Sequence, residues 1–460
     1  MTEPTAVARE AGLARALSQR QIVMIGLGGA IGTGLFMGSG IAIGYAGPAV
    51  LISYVIAAAL AVVMVLSLSE MAVAHPTAGS FGVYAEIYIG PWIGFLVRYT
   101  YWFAQVIAIG GEAVAAGIFM GYWFPDVPVF LWSVGFAVAL VWVNARSVAN
   151  FGAFEYWFAL IKVVAIVLFI IFGATYLFGL GVPAIGFSNL TQLPGGFMPH
   201  GWTGVWFGVL IAVFSFYGIE LIAVTAGEAT DPATAIPAAL RSMALRLFLF
   251  YGLALGIIVS FIPWTEAGAS VVTQSPFVKL FDYAGIRYAA GIMNFVVVTA
   301  ALSSMNTNLY LASRMLFSLG RGGHAPARLG VLSARGAPVT ATLVSGAVII
   351  ATASISFATH KAYNYLFGIA LFGGVLVWIT VLVCHLRFRS RCDPALLVRR
   401  TPFFPVPQVI GIVVLSALLI TMAFDTEFWN VAWIVGVPWL VLLSVVYAVR
   451  RARVRPVAAT

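Results

Sequence analysis

Lys162, Glu112 and Glu220 are ionisable residues set inside long apolar stretches. An ionisable side chain at bilayer depth is costly, so its presence there is a functional signal by default. Lys162 lies about ten residues, or about 15 Å, into its stretch. A buried lysine can surrender and regain a proton during a cycle. The plainer alternative is a permanent charge that tethers its helix to carbonyls of another. Glu220 closes the segment FSFYGIE at 214–220 and either satisfies backbone groups there or passes a proton. Glu112 suits a structural place, a place beside a ligand or one in a proton route, and it can also attract a cationic side chain. The remaining chemistry is in the backbone. Five glycines, Gly26, Gly28, Gly29, Gly32 and Gly34, fall within nine positions of the first apolar run. They weaken a helix at a depth where hydrocarbon offers no hydrogen-bond partner, and an unwound segment is tolerated there only beside a cavity. Unwound helices at the midplane are where secondary transporters hold cargo.

The elements that must position these residues are membrane helices. The 460-residue chain is 62% hydrophobic and 8% charged, with a mean hydropathy of +1.03; soluble domains run at about 25% charged. Twelve apolar runs are long enough to cross a bilayer. They fall near 20–44, 48–73, 91–121, 128–146, 152–179, 202–228, 241–264, 286–319, 338–357, 363–386, 407–424 and 428–449. The net charge of +9 invites a nucleic-acid reading, which its distribution excludes. Of the 24 Lys and Arg residues, Lys279, Arg287 and Lys361 fall on one side and Lys162 inside a helix, and the rest gather on the side of the N-terminus. This positive-inside bias places both termini in the cytoplasm, as an even span count requires. The partner of so apolar a chain is a lipid bilayer, and no nucleic acid. Cys384 and Cys392 have no disulfide or metal spacing, and His75, His200, His324, His360 and His385 do not cluster. No metal, no organic cofactor and no enzymatic centre is expected, and neither a cleavable signal peptide nor a soluble domain.

A second irregularity, at 214–220, falls five helices after the first. The first run reaches its interruption after about 15 Å and the sixth after about 18 Å, both near the middle of a core about 30 Å thick. An odd offset inverts the second copy relative to the first. Paired interruptions of this kind point to an inverted-repeat transporter and to its binding site. The expected organisation is an N-terminal arm at 1–19, a first repeat at 20–179, a second at 202–386, peripheral helices at 407–449 and a tail at 450–460. The glycines also match small-xxx-small packing, as in Gly28/Gly32 and Gly34/Gly38. A nucleotide loop is excluded, because strict G-x-G-x-x-G spacing and its strand are missing.

Five ordered motifs carry a resemblance: GLGGAIGTGLFMGSG (26–40), LSEMAVAHPTAGSF (68–81), FEYWFALIKVVAI (154–166), FSFYGIELIAVTAGEATDP (214–232) and NTNLYLASRMLFSLGRGGHAP (306–326). Together they resemble the amino acid transporter family of the amino acid–polyamine–organocation superfamily over nearly the whole chain. Ser69, Tyr217 and the Thr307–Asn308 pair depart from its commonest pattern. The resemblance implies an all-α, LeuT-type five-plus-five inverted repeat of twelve transmembrane helices, with discontinuous helices one and six. It also implies amino acid uptake driven by protons rather than sodium, with Lys162 standing where sodium-coupled relatives bind the cation.

A zwitterionic amino acid needs two partners. Its carboxylate suits free N–H groups at a half-helix start, offered by Gly29, Ala30, Ile31, Gly32, Thr33 and Gly34. Its ammonium suits carbonyls freed where a helix stops, at Phe214, Ser215 and Phe216 with Ile25 or Met24; Gly218 and Ile219 complete that break. Tyr101, Trp102, Gln105, Asn306 and Phe367 are candidates for the pocket wall. Glu228, with Arg20 or Arg241, is a candidate inner gate or a solvated loop charge. The expected activity is proton-coupled uptake of a neutral L-α-amino acid, aromatic or aliphatic, by alternating access, with a monomer as the expected state. The alternatives are a permease for a cationic amino acid or γ-aminobutyrate, an exchanger, and a non-transporting sensor.

Overall fold

A computed structural model describes residues 19–77, 79–146, 151–225, 231–268, 275–333, 336–394, 397, 400–424 and 429–454. Among these residues the chain is helical, and no strand occurs. Helix is the open-chain solution in hydrocarbon, since it pairs every backbone group within one segment. Eight helices among the described residues are long and apolar enough to cross a membrane, and shorter apolar helices lie at 129–144, 201–215 and 247–261.

The first apolar run is not one helix. It folds as α1 (Gln19–Ala30) and α2 (Ser39–Ala46), joined through a non-helical step at Ile31 and Gly32 and a wide π turn at Gly34–Gly38. α3 (Val50–Ala74) returns across the bundle, and α4 (Ser80–Tyr88) is a short helix at its end. α5 (Pro91–Met120), α6 (Val129–Arg146) and α7 (Phe151–Phe178) follow. The sixth run is also divided, into α8 (Gly201–Ser215) and the single turn α9 (Leu221–Val224). Then come α10 (Pro232–Phe261), the short α11 (Trp264–Ala267) and α12 (Pro276–Tyr283), α13 (Arg287–Arg321), α14 (Val339–Ala353), α15 (Ala362–Arg391), α16 (Val406–Phe424) and α17 (Val431–Val454).

Helix α5 is the axis of the bundle. Its apolar window is 83% buried, against 17% for α17 and 33% for α16, so those last two lie at the periphery against α15. Helix α5 packs on α13 and α15, and α1 packs on α7, α10 and α13.

Two runs differ in extent from the sequence expectation. The run at 241–264 belongs to a helix that starts at Pro232. A proline costs nothing in the first turn, where its missing N–H has no partner to lose, so Pro232 opens the helix and the residues before 241, Pro237 among them, join it. The run at 202–228 is helical only to Ser215 and again over Leu221–Val224. The helices Ser80–Tyr88 and Pro276–Tyr283 lie outside the expected runs, because they are too short and mixed for a hydropathy window to register.

Candidate substrate and coupling site at two helix breaks

The two interruptions lie against each other. At the first, Gly32 N–H turns back to the Ala30 carbonyl at 3.2 Å, and Leu35 and Phe36 both donate to the Gly32 carbonyl, at 3.3 and 3.4 Å. At the second, Phe216 N–H reaches the Val213 carbonyl at 3.1 Å and Tyr217 N–H the Phe214 carbonyl at 2.9 Å, a tightened helix end. Gly218 then takes φ +99°, a conformation that L side chains resist, and Leu221 N–H donates to its carbonyl at 3.1 Å to restart the helix. A Cβ on Gly218 would stand 3.1 Å from the Gly29 carbonyl oxygen, and one on Gly34 would stand 3.1 Å from the Ser215 Cα. Glycine at these positions is what lets the two breaks meet.

Side chains from neighbouring helices serve the carbonyls that the breaks release. Tyr251 of α10 points its hydroxyl at both the Ala30 and the Ser215 carbonyls, at 2.9 Å each. Ser215 Oγ donates to the Gly34 carbonyl at 2.9 Å, so the Tyr54 hydroxyl, also 2.9 Å away, donates to Ser215. Ser304 Oγ lies 3.2 Å from the Gly29 carbonyl and 2.5 Å from Glu112 Oε1, and Asn308 Nδ2 donates to Ser304 at 3.2 Å. Lys162 Nζ donates to the Ile31 carbonyl at 3.1 Å, directly within the first break. Lys162 is fully buried, with Glu155 and Glu112 as the carboxylates in electrostatic reach.

Glu220 belongs to the second break. Gly218 N–H faces both of its oxygens at 3.2 Å, Tyr101 Oη donates to Oε1 at 3.0 Å, and Trp378 Nε1 donates to Oε2 at 3.4 Å. Aromatic rings close the space beside the breaks. Phe214 lies 4.1 Å from Phe367 and 5.9 Å from Tyr217, and Tyr217 lies 5.9 Å from Tyr101, centroid to centroid.

Two broken helices, apposed at their breaks and backed by a buried lysine, are the arrangement that the five motifs led us to expect, and comparison with known proteins gives the family. A family model described as amino acid permease matches residues 21–459. The chain belongs to the amino acid permease family. It is 38% identical over 452 residues to the gamma-aminobutyric acid permease of Bacillus subtilis, covering 96% of this chain and 95% of that one. It is 39% identical over 451 residues to a putative histidine permease of the same organism, covering 95% and 94%. It is 37% identical over 451 residues to the aromatic amino acid transport protein AroP of Escherichia coli, covering 97% and 98%. The chain is accordingly a multi-pass permease of the bacterial inner membrane, from a family of transporters rather than enzymes.

The permease brings together most of the residues singled out from its sequence. Gly29, Ala30, Ile31, Gly32, Thr33, Gly34, Phe214, Ser215, Phe216, Gly218 and Ile219 form the two breaks, and all are buried. Glu112, Lys162, Glu220, Tyr101 and Phe367 border them. Gln105 is buried one turn along α5 from Tyr101. Asn306 is turned away. It accepts from Asn144 Nδ2 at 2.8 Å and donates to Glu155 Oε2 at 3.4 Å, between α6 and α7. The correction follows from helical geometry: Ser304 and Asn308, four apart, share the face toward the break, and a residue midway between them is about 200° around the helix. Trp102 likewise donates to Ser345 of α14 at 3.0 Å, away from the breaks. Ile25 and Arg20 belong to α1, but their side chains lie outside the described ones, and Glu228 lies outside the described residues.

Tyr54, Tyr251 and Ser304 were not singled out by sequence, and Asn308 only as a departure from the family pattern. The available signal was a polar atom inside an apolar run, as in SSMNTN at 303–308. The basic end of the permease holds two ion pairs as well. Arg98 pairs with Glu86 and also donates to Ser318 Oγ at 3.1 Å and the Gly94 carbonyl at 3.0 Å. Glu70 pairs with Arg389 at 2.5 Å and lies 3.2 Å from His385 Nε2.

Proposed function

We propose that this permease imports a neutral L-α-amino acid together with a proton, by alternating access around the two breaks. The reading places twelve spans in a five-plus-five inverted repeat with both termini cytoplasmic. The N–H groups at 30–34 and the Thr33 hydroxyl hold the substrate carboxylate, and carbonyls at 214–216 hold its ammonium. The observation that carries this reading is the Lys162 ammonium on the Ile31 carbonyl. A proton gained or lost at that nitrogen acts on the same backbone that would bind substrate, and a cation already sits where a coupling ion would be held. The aromatic cluster of Tyr101, Phe214, Tyr217 and Phe367 favours an aromatic or aliphatic side chain. A second reading, γ-aminobutyrate or a cationic amino acid, draws on the buried Glu112 at the first break and on the name of one relative.

The test is uptake into proteoliposomes in sodium-free buffer with an acid-outside pH gradient, followed by competition across side-chain classes. Accumulation that collapses with a protonophore, and competition by neutral amino acids, are the expected results. A strict requirement for sodium overturns the coupling, and selective competition by γ-aminobutyrate or lysine moves the substrate to the second reading.

A further inference from the structure

Glu155 is a buried carboxylate that the cycle above does not use. It lies seven residues before Lys162 on α7, which is two turns, about 10.5 Å along the axis and nearly the same face. Side chains on a helix lean toward its N-terminus, so the lysine extends back toward the glutamate. Glu155 is fully buried, accepts from Ser303 Oγ at one oxygen and from Asn306 Nδ2 at the other, at 3.4 Å for the latter. Thr307, one turn after Ser303 on α13, turns its methyl toward Gly29 of the first break, and its hydroxyl is buried. Among the described side chains, the charged groups facing Glu155 are Lys162 on its own helix and, across the break, Glu112 on α5. Ser303, Asn306 and Thr307 of α13 are neutral.

Two carboxylates are therefore in electrostatic reach of one lysine. Glu112 meets the first break through Ser304, and Glu155 lies on the same stripe as Lys162, near the start of α7. We propose that Glu155 is the proton acceptor through which Lys162 discharges toward the basic, cytoplasmic end of the permease. In this step an N–H bond of the ammonium breaks and an O–H bond forms on the carboxylate. The neutral amine stays on the Ile31 carbonyl, and the carboxylic acid later gives its proton to water at the start of α7. The step needs no other reactant. It rests on the coupling role proposed for Lys162.

The experiment uses the full chain in proteoliposomes, with a labelled mixture of L-amino acids and γ-aminobutyrate as the probe. Glu155→Gln keeps the shape and an acceptor oxygen for Ser303 but carries no proton. It is expected to retain counterflow within about two-fold of the parent and to lose accumulation under an acid-outside gradient about ten-fold. Substrate-dependent acidification of a pyranine-loaded lumen should disappear with it, and Glu155→Asp should restore part of both. A purely structural glutamate would leave accumulation intact in Glu155→Gln, and that result overturns the proposal when Lys162→Ala has lost accumulation. If Lys162→Ala also accumulates normally, the coupling reading itself falls. Should Glu155→Gln fail to fold, Ser303→Ala tests the same point. Removing the hydroxyl that donates to Glu155 should shift the pH profile of accumulation and leave counterflow unchanged, and an unshifted profile overturns the proposal.

Discussion

At the scale of single residues, the ionisable groups inside the bundle are matched to particular backbone atoms. Lys162 meets the Ile31 carbonyl, and Glu220 gathers donors from Gly218, Tyr101 and Trp378. Neither is a free charge in an apolar medium, which would cost several kcal/mol. Their chemistry separates in substitution. Lys162→Ala removes a hydrogen bond and a titratable group but leaves both breaks otherwise tied, by Tyr251, Ser215 and Ser304. It should fold, exchange labelled for unlabelled amino acid, and fail to concentrate amino acid against a gradient. Proton-driven accumulation at the parent level in that variant would refute the coupling role.

At the scale of elements, the first interruption was legible because glycine density is a composition signal, and the second because Gly218 and Glu220 disturb an otherwise apolar run. Their place along each run was also legible, since the first run breaks at Ile31 and Gly32 and the sixth after Ser215. What could not be read was the set of side chains that ties the breaks together. Tyr54, Tyr251 and Ser304 reach them from α3, α10 and α13, and contacts at such sequence separation leave no local trace. Asn306 shows the reverse limit: its type was suggestive, but its facing depended on the rotation of α13, which neighbouring helices fix. The conformation of Gly218 gives the element-scale prediction. Gly218→Ala forces a Cβ toward the Gly29 oxygen at a φ of +99°, at a cost of about 1–3 kcal/mol. Uptake should fall while Gly252→Ala, in open space on α10, leaves it unchanged; equal uptake by both variants would show that the break tolerates a side chain.

At the scale of the whole molecule, the basic end is stapled by one ion pair between segments far apart in sequence and by another between consecutive helices that also reaches a distant one. Glu70 of α3 holds Arg389 and approaches His385, both of α15, and Glu86 of α4 holds Arg98, which also reaches Ser318 of α13. Hydropathy identified the spans on which these residues sit, but pairing across such separations is a property of the packed bundle. Arg98 is fully buried, so neutralising Glu86 removes a charge that offsets the cost of burying the guanidinium. Glu86→Gln should therefore lower the stability of the detergent-solubilised protein by about 3 kcal/mol. Thermal unfolding checks this, and an unchanged Tm would mean that the pair is solvated and contributes little.

Tyr251 has a consequence for how the two halves of the centre are joined. Its hydroxyl carries one proton and faces two carbonyls, Ala30 on one broken helix and Ser215 on the other. It donates to one of them at a time, while Gly32 N–H also reaches the Ala30 carbonyl. A single rotating O–H bond on α10 is thereby shared between both broken helices, a swivel pin rather than a fixed rivet.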